Sequence, residues 1–322
     1  MKNLFYDIVI IGGSMKKLVT TIILLGIIYL LYTYRNPIIQ YIMIHFVYQD
    51  SLEVQKSNSY MRPQDWLYVQ KTDNFYPNDK QDILNLFYTA LDGGWSEVTF
   101  YCEEKYPNCM NDVTAMTKKG NATLSNINNF VVTYNAYNRI YVDMNSFGRV
   151  NIRFERLYTE DEKRQIAEKV SELYEQLLST SMSTQEKIKT VHDYIINHTV
   201  YDQAHADQFK NNEDITISTS NTAYGPLFTG KAVCGGYTDV MALFLDKMGI
   251  PNYKISSDTH IWNLVYIDGE WKHLDLTWDD PVVNNGSINT LQHTYFLIST
   301  EDLEKIDKTE HTFDKTIYLE AK

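Results

Sequence analysis

Residues 260–278 read HIWNLVYIDGEWKHLDLTW. Two strand-like runs flank Asp268-Gly269, a dipeptide that strongly favours a two-residue type I′ hairpin turn. Such a turn sets Ile267 opposite Glu270. Counting back along both strands sets Trp262 opposite Asp275 and His260 opposite Thr277. Side chains alternate along a strand, so His260, Trp262 and Asp275 project from one face. His260 and Asp275 become diagonal neighbours, roughly 7–8 Å apart at the backbone, which an imidazole and a carboxylate can bridge. A one-residue slip in the turn would put them on opposite faces.

Upstream, residues 224–256 read YGPLFTGKAVCGGYTDVMALFLDKMGIPNYKIS. Val240, Met241, Phe244 and Met248 give an apolar helical face, and Gly249 with Pro251 ends it. Cys234 therefore stands at a helix N-terminus, where free N–H groups and the positive end of the dipole favour thiolate over thiol. Gly235 and Gly236 let backbone approach a substrate carbonyl closely, which makes Gly235 a candidate substrate contact. A carboxylate that holds a histidine ring beside such a cysteine is the arrangement of an activated thiol nucleophile.

The order Cys234, His260, Asp275, with the segments AVCGGYTDV, HIWNLVYIDGEWKHLDLTWDDP and YFLIS, resembles the transglutaminase-like superfamily of papain-type thiol enzymes. It is most similar to bacterial membrane-anchored or secreted members, strongly over 184–300 and weakly over 80–183. The resemblance implies Cys234 as nucleophile, His260 as general base and acid, and Asp275 as the residue that orients the imidazole. It also implies an oxyanion hole made of the Cys234 N–H and the Tyr224 hydroxyl. Trp262 and Trp278 are expected first as sheet-core aromatics and second as substrate contacts. The implied reaction is acyl transfer on a protein or peptide amide, to an amine or to water. A cysteine protease or amidase acting on protein or cell-wall peptide is the alternative. A binding or scaffold module on the same fold would be marked by loss of a triad member, and all three residues are present.

No cofactor and no metal are expected. His192, His198 and His205 do not share one helical face, HExxH is absent, and Asp279-Asp280 lacks the further oxygen ligands of a calcium loop. His273 reads as a packing residue. Three cysteines exclude a Cys₄ zinc site, and Cys102 and Cys109 stand either as a small disulfide or as two free thiols. Asn121, Asn197 and Asn285 fall in N-x-S/T sequons, relevant only in a eukaryotic secretory pathway.

Residues 18–34 (LVTTIILLGIIYLLYTY) form an apolar run preceded by Lys16 and Lys17 and followed by Arg35-Asn36-Pro37. At about 1.5 Å per residue this helix falls just short of a ~30 Å hydrocarbon core. With no small-residue cleavage site, it reads as an uncleaved signal anchor, a single membrane helix with the N-terminus cytoplasmic and the rest outside. Met15 reads as the natural start. Residues 1–14 contain IVIIGGS, which lacks the GxGxxG spacing of a dinucleotide site.

The chain has 322 residues, 29 Lys plus Arg and 41 Asp plus Glu, for a net charge of −12. This acidic balance without a basic cluster argues against nucleic-acid binding. The length suits two folded units. The expected organisation is a cytoplasmic stretch (1–17), a transmembrane anchor (18–34), a juxtamembrane connection (35–79), a small α+β domain (80–157) and a catalytic domain (158–322). The fold class is α+β: a papain/transglutaminase-like core whose nucleophile-bearing helix packs on an antiparallel sheet. Helices are expected at 82–91 and after the boxes Thr159-x-x-Glu162 and Ser183-x-x-Glu186, and strands at 97–102, 129–134, 139–143 and 149–153.

Overall fold

The computed structural model describes residues 2–47, 55–211, 217–280 and 291–322. The Asn285 sequon and residues 48–54 of the expected connection lie outside the described residues. Helices α1 (Lys2–Thr33) and α2 (Arg35–Ile42) meet at Tyr34, and a π-helical turn follows over Met43–Val47. Pro37 cannot donate to the helical ladder and its ring crowds the carbonyl four residues back, and the chain bends just before it, at Tyr34. Leu18–Thr33 and Arg35–Val47 lie 62° apart. Among the described residues no single helix is long and apolar enough to cross a membrane, whereas this bent pair passes by length and composition together. The far end of the pair docks on the body: Ile44 is buried, and Gln40 Nε2 donates to the Cys102 carbonyl at 2.7 Å.

Helix α3 (Lys80–Asp92) is opened by Asp79, whose side chain accepts from the Asp82 N–H. Strands β1 (Glu97–Tyr101), β2 (Tyr137–Met144) and β3 (Arg149–Arg156) form an antiparallel sheet in the order β1-β3-β2. Between β1 and β2 lie α4 (Cys109–Met116) and α5 (Ala122–Phe130). Cys102 and Cys109 form a disulfide with Cα atoms 5.5 Å apart. The strand expected at 129–134 is absent. Asn121 accepts from the Thr123 N–H and starts α5, which runs to Phe130, and a 3-10 turn follows at Thr133–Asn135. The apolar residues there line a core from a helix end and do not join a ladder.

Both capping boxes close, Thr159 with Glu162 and Ser183 with Glu186, opening α6 (Glu160–Leu177) and α7 (Thr184–His198). A short parallel pair joins β4 (Val200–Tyr201) to β5 (Lys231–Ala232), with α8 (Gln203–Asn211) between them in sequence. Helix α9 (Cys234–Met248) ends at Gly249 in the left-handed region, φ 72°. The second sheet is an antiparallel run of β6 (Asn252–Ser256), β7 (Ile261–Ile267), β8 (Glu270–Leu274) and β9 (Phe296–Ile298), followed by α10 (Thr300–Ile306).

Alternation along β7 divides the core. Val265 and Ile267 join an apolar cluster with α6, α7 and α9, whereas Trp262 and Leu264 join one that holds α3, α5, Tyr318 and Ala321. That second cluster crosses position 157, so the smaller α+β part and the β6–β9 sheet share one interior. Residues 60–75, expected as a polar connection, are built into the same interior. Trp66, Val69 and Phe75 are buried, and the buried Arg62 guanidinium makes two 3.0 Å bonds to Asp246 and donates to the Asn252 carbonyl at 2.8 Å. A guanidinium taken out of water must be paired, and Asp246 on α9 supplies the charge.

Candidate active site

The hairpin has the register that its turn dictates. Ile267 pairs with Glu270, and the ladder runs to Asn263 opposite Leu274. Asp268 and Gly269 both have positive φ, 55° and 86°, as a type I′ turn requires. His260 and Asp275 lie just beyond the paired ends, and His260 Nε2 stands 2.5 Å from Asp275 Oδ2. The other oxygen, Oδ1, accepts from the Thr277 and Trp278 N–H groups at 2.8 and 3.3 Å. His260 is held from its own side as well, since its N–H donates to Ser257 Oγ at 3.1 Å.

Cys234 is the first residue of α9 and a half-buried free thiol. The His260 side chain is also hydrogen-bonded to the Cys234 side chain. One helical turn on, Thr238 Oγ1 is within bonding distance of both the Cys234 and Ile261 carbonyls, 2.8 and 2.9 Å, and fastens α9 to the start of β7. Asn263 Nδ2 adds a bond to the Thr238 carbonyl at 3.1 Å. Cys234 and His260 are thus positioned by two elements locked directly to each other.

The charges follow from this placement. Burial alone would push His260 down, but the Asp275 carboxylate and the Cys234 thiol outweigh it and hold His260 up at about 10. Burial would raise Asp275, yet the charge and hydrogen bonds of His260, with a further bond from His311, keep it well below the usual carboxylate range. His273 is different. Burial and the nearby His311 push it down to about 3, so it is neutral, and its Nδ1 accepts from Trp262 Nε1 at 3.0 Å.

Three expected substrate-facing residues are placed elsewhere. The Tyr224 hydroxyl bonds Gln165 on α6 at 3.4 Å and its ring packs on Phe228, so it belongs to the helical packing and not to an oxyanion hole. Gly235 lies against the Asn221 carbonyl, where a Cβ would come within 2.8 Å; close chain packing, and not substrate, requires the glycine. Trp262 is 1% exposed and cannot reach a substrate. It lies parallel to the His260 ring, 5.6 Å between centroids and 13° between planes, and so fixes the imidazole plane. Trp278 is half-buried and stands edge-on to His260 at 6.4 Å, as a wall of the site.

Two residues were not legible in the sequence. His311, after α10, is buried and places Nε2 at 2.8 Å from Asp275 Oδ2 and Nδ1 at 2.7 Å from Asp307 Oδ2. It lies far beyond the hairpin in sequence, so strand periodicity does not reach it. Its one local signal is the i,i+4 spacing from Asp307, common on any helical turn. Tyr201 on β4 pairs with Ala232, two residues before Cys234. Burial and then the Cys234 charge push its phenol up to about 12.

The family model of the transglutaminase-like superfamily matches residues 171–276, a span that holds Cys234, His260 and Asp275. No curated protein matches the chain. Among solved structures, one described as a TGase is similar at 17% identity, over 54% of this chain and 50% of that one, with a TM-score of 0.36. Another, described as a candidate cysteine protease from Cytophaga hutchinsonii, is similar at 14% identity, over 43% of this chain and 61% of that one, with a TM-score of 0.27. This chain therefore spans half to three-fifths of the length of those structures.

Proposed function

We propose that this chain, which carries a transglutaminase-like domain over residues 171–276, is a cysteine acyltransferase or peptidase whose triad is Cys234, His260 and Asp275. The observation that carries this is the buried 2.5 Å contact of His260 with Asp275, in a ring that is also hydrogen-bonded to Cys234. The Cys234 thiolate attacks the carbonyl carbon of a carboxamide or peptide bond and forms the S–C bond. His260 gives its proton to the leaving amine as the C–N bond breaks, and a thioester remains. The neutral imidazole then takes a proton from an incoming amine or water, whose nitrogen or oxygen attacks the thioester and releases the thiolate. Asp275 stays ionised throughout and keeps the ring oriented. The Cys234 N–H and the Tyr201 phenol are the donors for the oxyanion.

The substrate class is protein or peptide, and the domain works outside the membrane, attached through the N-terminal helices. Supporting this are the exposed apolar side chains from Leu18 to Ile42, the Lys16-Lys17 pair before them, and the Cys102–Cys109 disulfide, a bond of oxidising compartments.

Alkylation of Cys234 in the full chain, followed against pH, tests the reading. The expected result is rapid reaction at pH 6 in the wild type and slow reaction in His260→Ala. A thiol that reacts as slowly as a free cysteine at pH 6, unchanged by the substitution, overturns it. A labelled primary amine offered with a glutamine-containing protein then separates crosslinking from hydrolysis.

A further inference from the structure

A second histidine cluster lies away from the triad. His192 and Asp193 sit in the second half of α7, and His293 precedes β9. His192 Nδ1 and His293 Nε2 both point at Asp193 Oδ1, at 2.9 and 2.7 Å, and the donor atoms of all three residues lie within 4.8 Å of one another. Helical spacing does separate His192 from His198, but the partners come from the adjacent residue and from a segment a hundred positions on.

The ring of His192 is fully buried, and its other nitrogen, Nε2, stands 3.2 Å from Asp279 Oδ2. Asp279 is itself buried and fixed, with Oδ1 accepting from the Tyr295 N–H at 3.0 Å. The His192 imidazole is therefore held between two carboxylates. A cation at the point where Nδ1, Asp193 Oδ1 and His293 Nε2 converge would take the Nδ1 lone pair while Nε2–H donates to Asp279. A metal-ligating histidine ordinarily hands its second nitrogen to a carboxylate in this way. Both rings are also preset, since Phe296 packs edge-on against His192 at 5.2 Å and His293 at 5.7 Å.

We propose that His192, Asp193 and His293 form a transition-metal site of the zinc class, with Asp279 orienting His192 and water completing the coordination. Two imidazoles and one carboxylate suit zinc far better than calcium or magnesium, which take oxygen ligands. Lys189 Nζ, 2.6 Å from Asp193 Oδ2, leaves Oδ1 as the ligand atom. The ion would tie α7 to the chain entering β9 and, through Asp279, to the stretch that follows Asp275.

The test uses the full chain carrying Cys234→Ala, which removes the thiol beside His260, stripped with chelator and titrated with Zn²⁺ by calorimetry. One zinc per chain is expected, with affinity at least about tenfold weaker in His293→Ala and in Asp193→Asn. Zinc should raise the melting temperature of the parent more than that of either variant. Because the His293 side chain is 35% exposed, its truncation leaves the core intact. Cobalt in place of zinc should give a tetrahedral visible spectrum that the His293→Ala chain lacks. Absence of binding overturns the proposal. Binding of unchanged affinity in both variants overturns it too, by placing the ion elsewhere, as in the His260, Asp275 and His311 cluster.

Discussion

His260 and His311 share a single oxygen of Asp275, at 2.5 and 2.8 Å. With two backbone N–H groups on the other oxygen, the carboxylate has four partners and no freedom to turn. Removing His311 leaves a buried carboxylate short of a charge-assisted bond. The prediction for His311→Ala is a loss of about 3 kcal/mol in denaturant unfolding. Turnover should fall on the order of 10-fold to 100-fold as Asp275 and the imidazole lose their alignment.

The shifts at the triad set two pH limits. His260 is raised from its ordinary 6.5 to about 10, so its contribution to stability is complete below pH 6.5 and is lost as pH rises through about 10. Asp275 is depressed, so its contribution is present above pH 3.8 and is lost as pH falls through its lower folded value. Melting temperatures across pH 6–11 should decline in the wild type and stay flatter in His260→Gln. The alkaline limb of turnover should lie near pH 10 and not near 6.5.

The two tyrosines separate cleanly. Tyr224→Phe removes a hydroxyl bonded to Gln165 and should leave turnover within about twofold of wild type. Tyr201→Phe removes the phenol that feels the Cys234 charge. It should lower turnover by about 10²-fold, the usual cost of losing an oxyanion donor, with little change in KM. Steady-state kinetics on one amide substrate checks both, and equal effects would refute the assignment.

Gly235→Ala brings a Cβ to 2.8 Å from the Asn221 carbonyl. The chain must shift, at about 1–3 kcal/mol, and Cys234 shifts with it. Stability and turnover should therefore fall together. A variant that lost activity at full stability would instead mark Gly235 as a substrate contact.

Local rules carried the sequence reading a long way. The Asp268-Gly269 turn, two capping boxes and the Gly249 stop each depend on a few adjacent residues, and each is present as spaced. The pairing of His260 with Asp275 was legible because one two-residue turn sets the whole register. What was not legible depends on chain-distant packing. His311 reaches Asp275 from after α10, Arg62 reaches Asp246 from a stretch that reads as tether, and His293 reaches Asp193. The same limit explains Tyr224. Its place in the sequence suits an oxyanion donor, but Gln165 on α6 holds its hydroxyl.

The segment after β9 has a bearing on timing. Thr300 and Ala321 bond each other in both directions, and Thr300 Oγ1 also meets His273 at 2.9 Å. His311, Thr300 and Ala321 are all synthesised after Cys234, His260 and Asp275. A growing chain that already contains Cys234 and His260 still lacks the residues that hold the Asp275 carboxylate still. On the proposed chemistry, full reactivity would begin only once the trailing segment had docked.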